Sequence, residues 1–397
     1  MITAYLNGNV IFEDGVHRTN VYAQNGKITE ISDAVIPSDH IVDCRGLYLS
    51  PGFADIHVHG GGGFSAMSDD PEEIVKMCRA HALRGTTSIV PTTLAAPVER
   101  LQRAMDNIDK AKRLCTDANI LGIHLEGPFL SMKKKGAQSP DNILVPTKEN
   151  LSALLDYSSD LLMIGAAPEV ENGMLVGEEA AKRGVVASIA HSDADFAVAE
   201  EALAHGYSDI THIFSASSAM HKNGIFREVG VAEAGLALDG FTTQFIGDLR
   251  HLPYGAIKLI YKAKGPDKAY AITDGLEYAA LNMEEGDLFT QENGQAVVYE
   301  DGVMKLADRS CLAGSVATSH LLVRNMVKRC GIPLADAVKM ASLTPLRVVG
   351  FADRKGKIQT GYDEDIILFD DNINVSYVCV NGNVIVNEFV STDDFPC

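Results

Sequence analysis

The stretch Pro51-Gly52-Phe53-Ala54-Asp55-Ile56-His57-Val58-His59-Gly60 decides how the rest of the chain is read. A short run carrying Phe53 and Ile56 ends in two histidines spaced His-x-His, and Gly61, Gly62 and Gly63 follow. Side chains on a strand repeat with period two, so His57 and His59 point to the same side, about 7 Å apart along the backbone. Two imidazoles so placed can converge on one metal ion once further ligands join them. The glycines let the backbone turn sharply and approach a ligand closely. A lone His-x-His also suits an ordinary strand with satisfied histidines, so its meaning rests on the remainder of the chain.

From residue 52 to about 350 strand-like and helix-like patterns alternate. Eight apolar runs read as strands: 53–58, 86–90, 120–125, 161–166, 185–190, 209–213, 242–247 and 269–273. Helices are expected over 72–84 and 97–115, opened by Pro71 and Pro97, and over 174–183, 195–205 and 253–263. Eight β-then-α units in succession predict an α/β fold of the (β/α)8 TIM-barrel type. After the eighth run the rhythm breaks. Residues 286–306 read as a polar hairpin excursion with turns at Asn293-Gly294 and Asp301-Gly302, and helices follow near 316–330, 334–341 and 344–350.

Both ends of the chain are β-rich. Asn-Gly pairs between apolar runs at Asn7-Gly8, Asn25-Gly26 and Asn381-Gly382 each signal a two-residue hairpin. The pentapeptide Asn-Gly-Asn-Val-Ile occurs twice, at 7–11 and 381–385. The expectation is a small β-sandwich built from residues 1–50 and 355–397, flanking a barrel over 51–354.

Composition narrows the function classes. With 53 acidic against 34 basic residues the net charge is −19, which argues against nucleic acid or an anionic membrane surface as partner. The N-terminal residues carry no signal-peptide pattern, and no window holds 18 uninterrupted apolar residues, so no membrane association is expected. Seven cysteines stand singly at 44, 78, 115, 311, 330, 379 and 397; an odd number without a Cys-x-x-Cys pair suits a reducing cytoplasm.

In such barrels catalytic residues sit at the C-terminal ends of the strands. Those ends carry His57 and His59, then His124-Leu125-Glu126, His191-Ser192-Asp193, Thr211-His212, Gly247-Asp248 and Thr273-Asp274. Imidazole and carboxylate together suit a divalent cation, zinc first, with iron, manganese or cobalt as alternatives. Such an ion lowers the pKa of a bound water, and a nearby carboxylate can take and return its proton. The expectation is hydrolysis of an amide or similar bond with Asp274 as general base.

The chain resembles the amidohydrolase superfamily, and within it the N-acetylglucosamine-6-phosphate deacetylases. The resemblance rests on Pro-Gly-Phe-x-Asp-x-His-x-His-Gly at 51–60, His-Leu-Glu-Gly-Pro-Phe at 124–129, Lys-Lys-Gly-Ala-Gln at 134–138, His-Ser-Asp-Ala at 191–194, Lys-Gly-Pro-Asp at 264–267, Thr-Asp-Gly at 273–275 and Leu-Ala-Gly-Ser at 312–315. It implies a metal held by Glu126, His191 and His212, with Asp274 activating water and protonating the departing sugar amine. His57 and His59 mark a second metal position, so one or two ions per subunit are expected. The sugar phosphate is expected against Ala137, Ser215, Ala216, Arg227, His251 and Leu312, with some contacts coming from the other subunit of a homodimer. The chain departs from the commoner pattern after His212, where Ser215 replaces an asparagine and the link to Arg227 is longer. A galactosamine-type substrate is therefore the alternative, and a catalytically silent scaffold the alternative of another class.

Overall fold

In this computed structural model, which describes residues 1–291 and 294–388, the apolar runs become the eight strands of a parallel barrel. In order around the ring they are Phe53–Val58, Thr86–Thr93, Ile123–Glu126, Leu161–Ala166, Val186–Ile189, Tyr207–Ile210, Thr242–Ile246 and Ala269–Ile272. The ring closes where Val58 bridges Gly275 in parallel and the Asp274 N–H donates to the His57 carbonyl at 2.9 Å. Inside it, Ala54, Ile56, Val90, Leu121, Met163, Ile246, Tyr270 and Ile272 form one cluster. A larger apolar layer packs the helices against the outside. Barrel interiors are filled cores, so groups that meet a ligand have room only at the rim.

The expected helices form as Pro71–Ala82, Val98–Leu114, Gly173–Lys182, Phe196–Ala204 and Tyr254–Lys268. Asp70 caps the first by accepting from the Glu72 N–H at 2.9 Å. Two α-helices among the described residues go beyond the expectation, Lys148–Leu155 and Val231–Ala237. Each spans barely two turns, too short for its apolar period to stand out, and Lys148–Leu155 is instead announced by the reciprocal cap of Thr147 and Asn150. The third strand starts later than expected. A short piece, Asn119–Ile120, pairs with Thr86–Thr93, and the strand proper begins at Ile123. Gly122 lies between them against the Asp160 carbonyl, where a side chain would not fit.

The excursion after the eighth strand is a three-stranded antiparallel sheet, Leu288–Thr290, Ala296–Glu300 and Val303–Leu306. Asp301 and Gly302, both at positive φ (56° and 74°), make its second turn. Asn293 of the other expected turn lies outside the described residues. Val297 and Met304 of this sheet pack with Leu276, Tyr278 and Ala313, and partly buried Ala137 joins them, so the excursion leans over the strand ends.

The two termini share a second, mixed sheet in the order Asn383–Asn387, Val375–Val380, Ile366–Phe369, Tyr48–Pro51, Ile2–Phe12, Gly15–Gln24 and Lys27–Ser32; His40–Asp43 also pairs with Ile2–Phe12. It has its own core of Tyr5, Val10, Val21, Leu49, Ile366, Leu368 and Tyr377. Residues 389–397, including Cys397, lie outside the described residues. Asn25-Gly26 and Asn381-Gly382 are tight hairpin turns with both residues at positive φ. The expected hairpin at Asn7-Gly8 is not formed. Asn7 (φ 63°) makes a bulge inside the continuous strand Ile2–Phe12, whose partner strand Gly15–Gln24 runs past it on both sides. Its N–H is taken by the Asn20 side chain at 2.9 Å.

Candidate active site

Three of the strand-end residues follow one rule. His191, His212 and Asp274 each stand two positions beyond the last residue of their strand, and each has positive φ, 46°, 25° and 49°. Such a conformation costs a non-glycine residue on the order of 1 kcal/mol or more and persists only where the surroundings impose it. Here the imposing contacts are backbone hydrogen bonds. The Ser131 N–H donates to the His191 carbonyl (3.0 Å), the Ser215 N–H to that of His212 (2.9 Å), and the Ser315 N–H to that of Asp274 (2.9 Å). The chain is thus bent so that each side chain turns over the barrel mouth.

Six side chains converge there. Glu126 Oε1 lies 2.8 Å from His212 Nε2, 3.2 Å from His191 Nε2 and 3.4 Å from His57 Nε2. Asp274 Oδ1 lies 3.1 Å from His59 Nε2 and 3.5 Å from His57 Nε2, and the two Nε2 atoms of His57 and His59 are 3.3 Å apart. Ligands about 2.0–2.1 Å from a tetrahedral zinc are separated from each other by about 3.3 Å, so these spacings match the edges of a coordination shell. Two triads meet the requirement of mutually close donor atoms: His57, Glu126 and His212, and His57, His59 and Asp274.

The other ring nitrogens settle the tautomers. Nδ1 of His59 faces the Thr92 carbonyl (3.1 Å), Nδ1 of His191 the Lys134 carbonyl (2.9 Å) and Nδ1 of His212 the Ser215 carbonyl (3.1 Å). Nδ1 of His57 faces Gln244 Oε1 at 2.9 Å. A carbonyl oxygen only accepts, so each Nδ1 carries its proton and each Nε2 is the atom free to bind a cation. Four imidazole Nε2 atoms are therefore aimed at two carboxylates, and this donor set fits a divalent ion. Gln138 holds the remaining Glu126 oxygen, donating from Nε2 to Oε2 at 2.7 Å while its own oxygen accepts from the Ala95 N–H.

Without an ion, protons carry the balancing charge. Burial works against the imidazolium of His59, yet Asp274 and Glu126 hold its pKa up to about 10. Burial also disfavours the Asp274 anion, but the hydrogen bond with His59, together with the histidines around it, brings its pKa down to about 2. Glu126 is likewise held well below the ordinary carboxylate value against its burial, by the surrounding histidines. His124, one layer deeper, differs: burial keeps it neutral.

Above these groups opens a cavity of about 440 Å³. Its walls include Ala137, Ser215, Ala216, His251 and Leu312, all expected from sequence, together with His59, Glu126, His191, His212 and Asp274. His57 lies beneath, fully buried. Lys133, Lys134, Gln138, Phe214, Gln291 and Cys311 also line it. Phe214 escaped the sequence reading because nothing local shows that its backbone is left-handed, and Gln291 because it belongs to the excursion rather than to a strand end. His251 is fixed by Asp248, whose Oδ2 lies 2.7 Å from Nδ1. Arg227 is the exception. It stands exposed on the hairpin His221–Asn223 and Phe226–Glu228, away from the cavity walls.

The description "Amidohydrolase family" matches residues 48–385. Among curated relatives, the N-acetylglucosamine-6-phosphate deacetylase of Lysinibacillus sphaericus is 30% identical over 92% of both chains. That of Bacillus subtilis is 30% identical over 95% of this chain and 92% of its own. A crystal structure of N-acetylglucosamine-6-phosphate deacetylase from Pasteurella multocida superposes with a TM-score of 0.90 at 28% identity, covering 98% of this chain and all of the other.

Proposed function

The chain belongs to the amidohydrolase family, and we propose that it removes the N-acetyl group from N-acetyl-D-glucosamine 6-phosphate, giving glucosamine 6-phosphate and acetate. The observation that carries this reading is the convergence of four histidines, each with Nδ1 on an acceptor oxygen, upon Glu126 and Asp274 at the floor of the cavity. Glu126, His191 and His212 would hold one divalent ion, zinc in the first instance, and His57 with His59 a second. Bound there, the ion supplies Lewis-acid chemistry, polarising the amide carbonyl and acidifying water.

The chain's own groups supply the proton traffic. Asp274, a carboxylate throughout the physiological range, accepts a proton from the attacking water and returns it to the departing amine. Gln138 fixes the Glu126 carboxylate. Lys133, Lys134 and His251 line the cavity and offer N–H donors suited to a phosphate, while Ala137, Ser215, Ala216 and Leu312 shape the space for the sugar. Arg227 reaches a phosphate only in a homodimer. The exposed apolar tip of its hairpin, Ile225 at 89% and Phe226 at 70%, supports a second copy as its cover. Six described cysteines without disulfides support the cytoplasm as compartment.

The test is acetate release from N-acetylglucosamine 6-phosphate and N-acetylgalactosamine 6-phosphate by the zinc-loaded protein. A preference for the first of at least tenfold in kcat/KM is expected. A reversed preference would transfer the assignment to the second sugar, and no release from either would end the deacetylase reading. Arg227→Ala is expected to raise KM about tenfold with kcat kept, the signature of lost uniform binding. An unchanged KM would remove Arg227 from the site.

A further inference from the structure

Beneath the rim, inside the barrel, lies a carboxylate that the proposed reaction does not use. Asp209, on strand Tyr207–Ile210, is completely buried. It accepts four hydrogen bonds: from Thr242 Oγ1 (2.6 Å) and Tyr270 Oη (2.9 Å) to Oδ1, and from Ser188 Oγ (2.8 Å) and Gln244 Nε2 (2.8 Å) to Oδ2. None of the four donors is charged. Burial raises the pKa of this carboxyl and its four donors oppose that rise, so a carboxyl placed here calls for a reason.

The reason is visible in Gln244. Its amide joins Asp209 to His57, Nε2 toward the carboxylate and Oε1 toward His57 Nδ1 at 2.9 Å. An amide has two distinct ends, and only an acceptor such as Asp209 can dictate which end faces which way. The other three histidines rest on main-chain carbonyls, which cannot reverse. His57 alone among the four rests on a side chain that can.

We propose that Asp209 and Gln244 form a positioning relay that fixes the tautomer of His57. Asp209 accepts from the amide nitrogen of Gln244, the amide oxygen accepts from Nδ1–H, and the lone pair of His57 Nε2 is left facing Glu126 and Asp274. The inference rests on the metal-centre reading and says which residues make the His57 side of it competent. With Asp209→Asn an amide nitrogen faces Gln244, whose amide turns over to offer its oxygen. Its nitrogen then donates to His57 Nδ1, and the imidazole proton moves to Nε2, the atom meant for the ion.

The polarity of the relay can be reversed at both members. In the double variant Asp209→Asn with Gln244→Glu, the new carboxylate at 244 accepts from both neighbours. The amide oxygen at 209 keeps Thr242 and Tyr270. Ser188, which also lies 2.6 Å from Thr211 Oγ1, can turn its hydroxyl there.

The experiment titrates zinc into wild type, D209N, Gln244→Leu and the double variant against a competing chelator. It also records imidazole 15N shifts of the metal-free proteins. Expected is a ten- to hundredfold weaker affinity for one of two zinc ions in D209N and Q244L, with the other ion kept, as second-layer changes at metal sites typically give. In metal-free D209N the Nδ1–H signal of His57 is lost, and the double variant restores both readouts. Should D209N not fold, Q244L serves alone, since it leaves Asp209 its three hydroxyl donors. Wild-type zinc affinity in Q244L, an unmoved His57 tautomer in folded D209N, or a double variant no better than D209N would each overturn the relay. If wild type itself binds no zinc, the metal-centre reading fails, while the 15N comparison still decides the relay.

Discussion

Buried charge occurs at both ends of the barrel strands, and the two sets are built on opposite terms. At the starts of the strands, where the terminal sheet meets the barrel, Lys355 is only 3% exposed yet bonds Asp363 Oδ2 at 2.8 Å and Asp365 Oδ2 at 2.7 Å. Lys27 pairs with Asp363 as well, and Asn119 and Asn381 take up the remaining capacity of Asp365. Two lysines meet two aspartates, and every group is answered. At the strand ends, Glu126 and Asp274 face histidines whose Nδ1 atoms are already committed, and no lysine or arginine is bonded to either carboxylate among the described residues. This set reaches neutrality only by taking up protons or a cation. Burial of charge therefore does not mark a site in this molecule; incompleteness does.

The comparison can be broken at either end. The largest effect is expected from Asp274→Asn, which removes the proton acceptor: kcat should fall by about a thousandfold, roughly 4 kcal/mol, with bound metal retained. Normal turnover in that variant would contradict the role of Asp274. Next comes Lys355→Met, which leaves two buried carboxylates partly unanswered. A loss of about 3 kcal/mol in unfolding free energy is expected, with kcat/KM of the folded enzyme unchanged. If activity fell and stability did not, the joint would not be a purely structural counterpart of the rim.

The mildest test is pH. In the metal-free protein the pKa of His59 is raised from the ordinary 6.5 to about 10, so its pairing contributes fully below pH 6.5 and is lost as pH rises through 10. Asp274, lowered from 3.8 to about 2, contributes above pH 3.8 and loses its contribution as pH falls through 2. The melting temperature of metal-free protein should thus decline between pH 6.5 and 10. Zinc needs the unprotonated ring, so its apparent affinity should rise over the same interval, with a proton released on binding. A flat pair of curves would mean that His59 does not carry the charge assigned to it.

Much of the rim was readable from the sequence because a barrel strand imposes strict rules. Its residues alternate, its chemistry sits at one end, and the next helix begins after a short loop. Hence His57, His59, Glu126, His191, His212 and Asp274 follow from apolar runs and the polar residues that terminate them. The same rules could have raised Gln244, a polar residue inside the apolar run 242–247, but without its neighbours no role attaches to it. Asp209 is harder still, since an aspartate at the start of a run reads as a boundary. Gln138 ends the Lys-Lys-Gly-Ala-Gln run at 134–138, yet only the folded chain brings its amide to Glu126.

Sequence by itself determined the order of the elements, the eightfold repetition and the residue types at the barrel mouth, because each depends on local periodicity and termination. The tertiary structure decided how those residues are used. The two copies of Asn-Gly-Asn-Val-Ile make the point. At 381–385 the asparagine and glycine turn the chain into a hairpin, whereas at 7–11 they form a bulge within one long strand. The pentapeptide permits either, since left-handed backbone at Asn-Gly suits both. Strands already paired on each side, and the Asn20 side chain waiting for the Asn7 N–H, select the second. At the barrel mouth too, the donors are local, but their convergence upon Glu126 and Asp274 belongs to the closed ring.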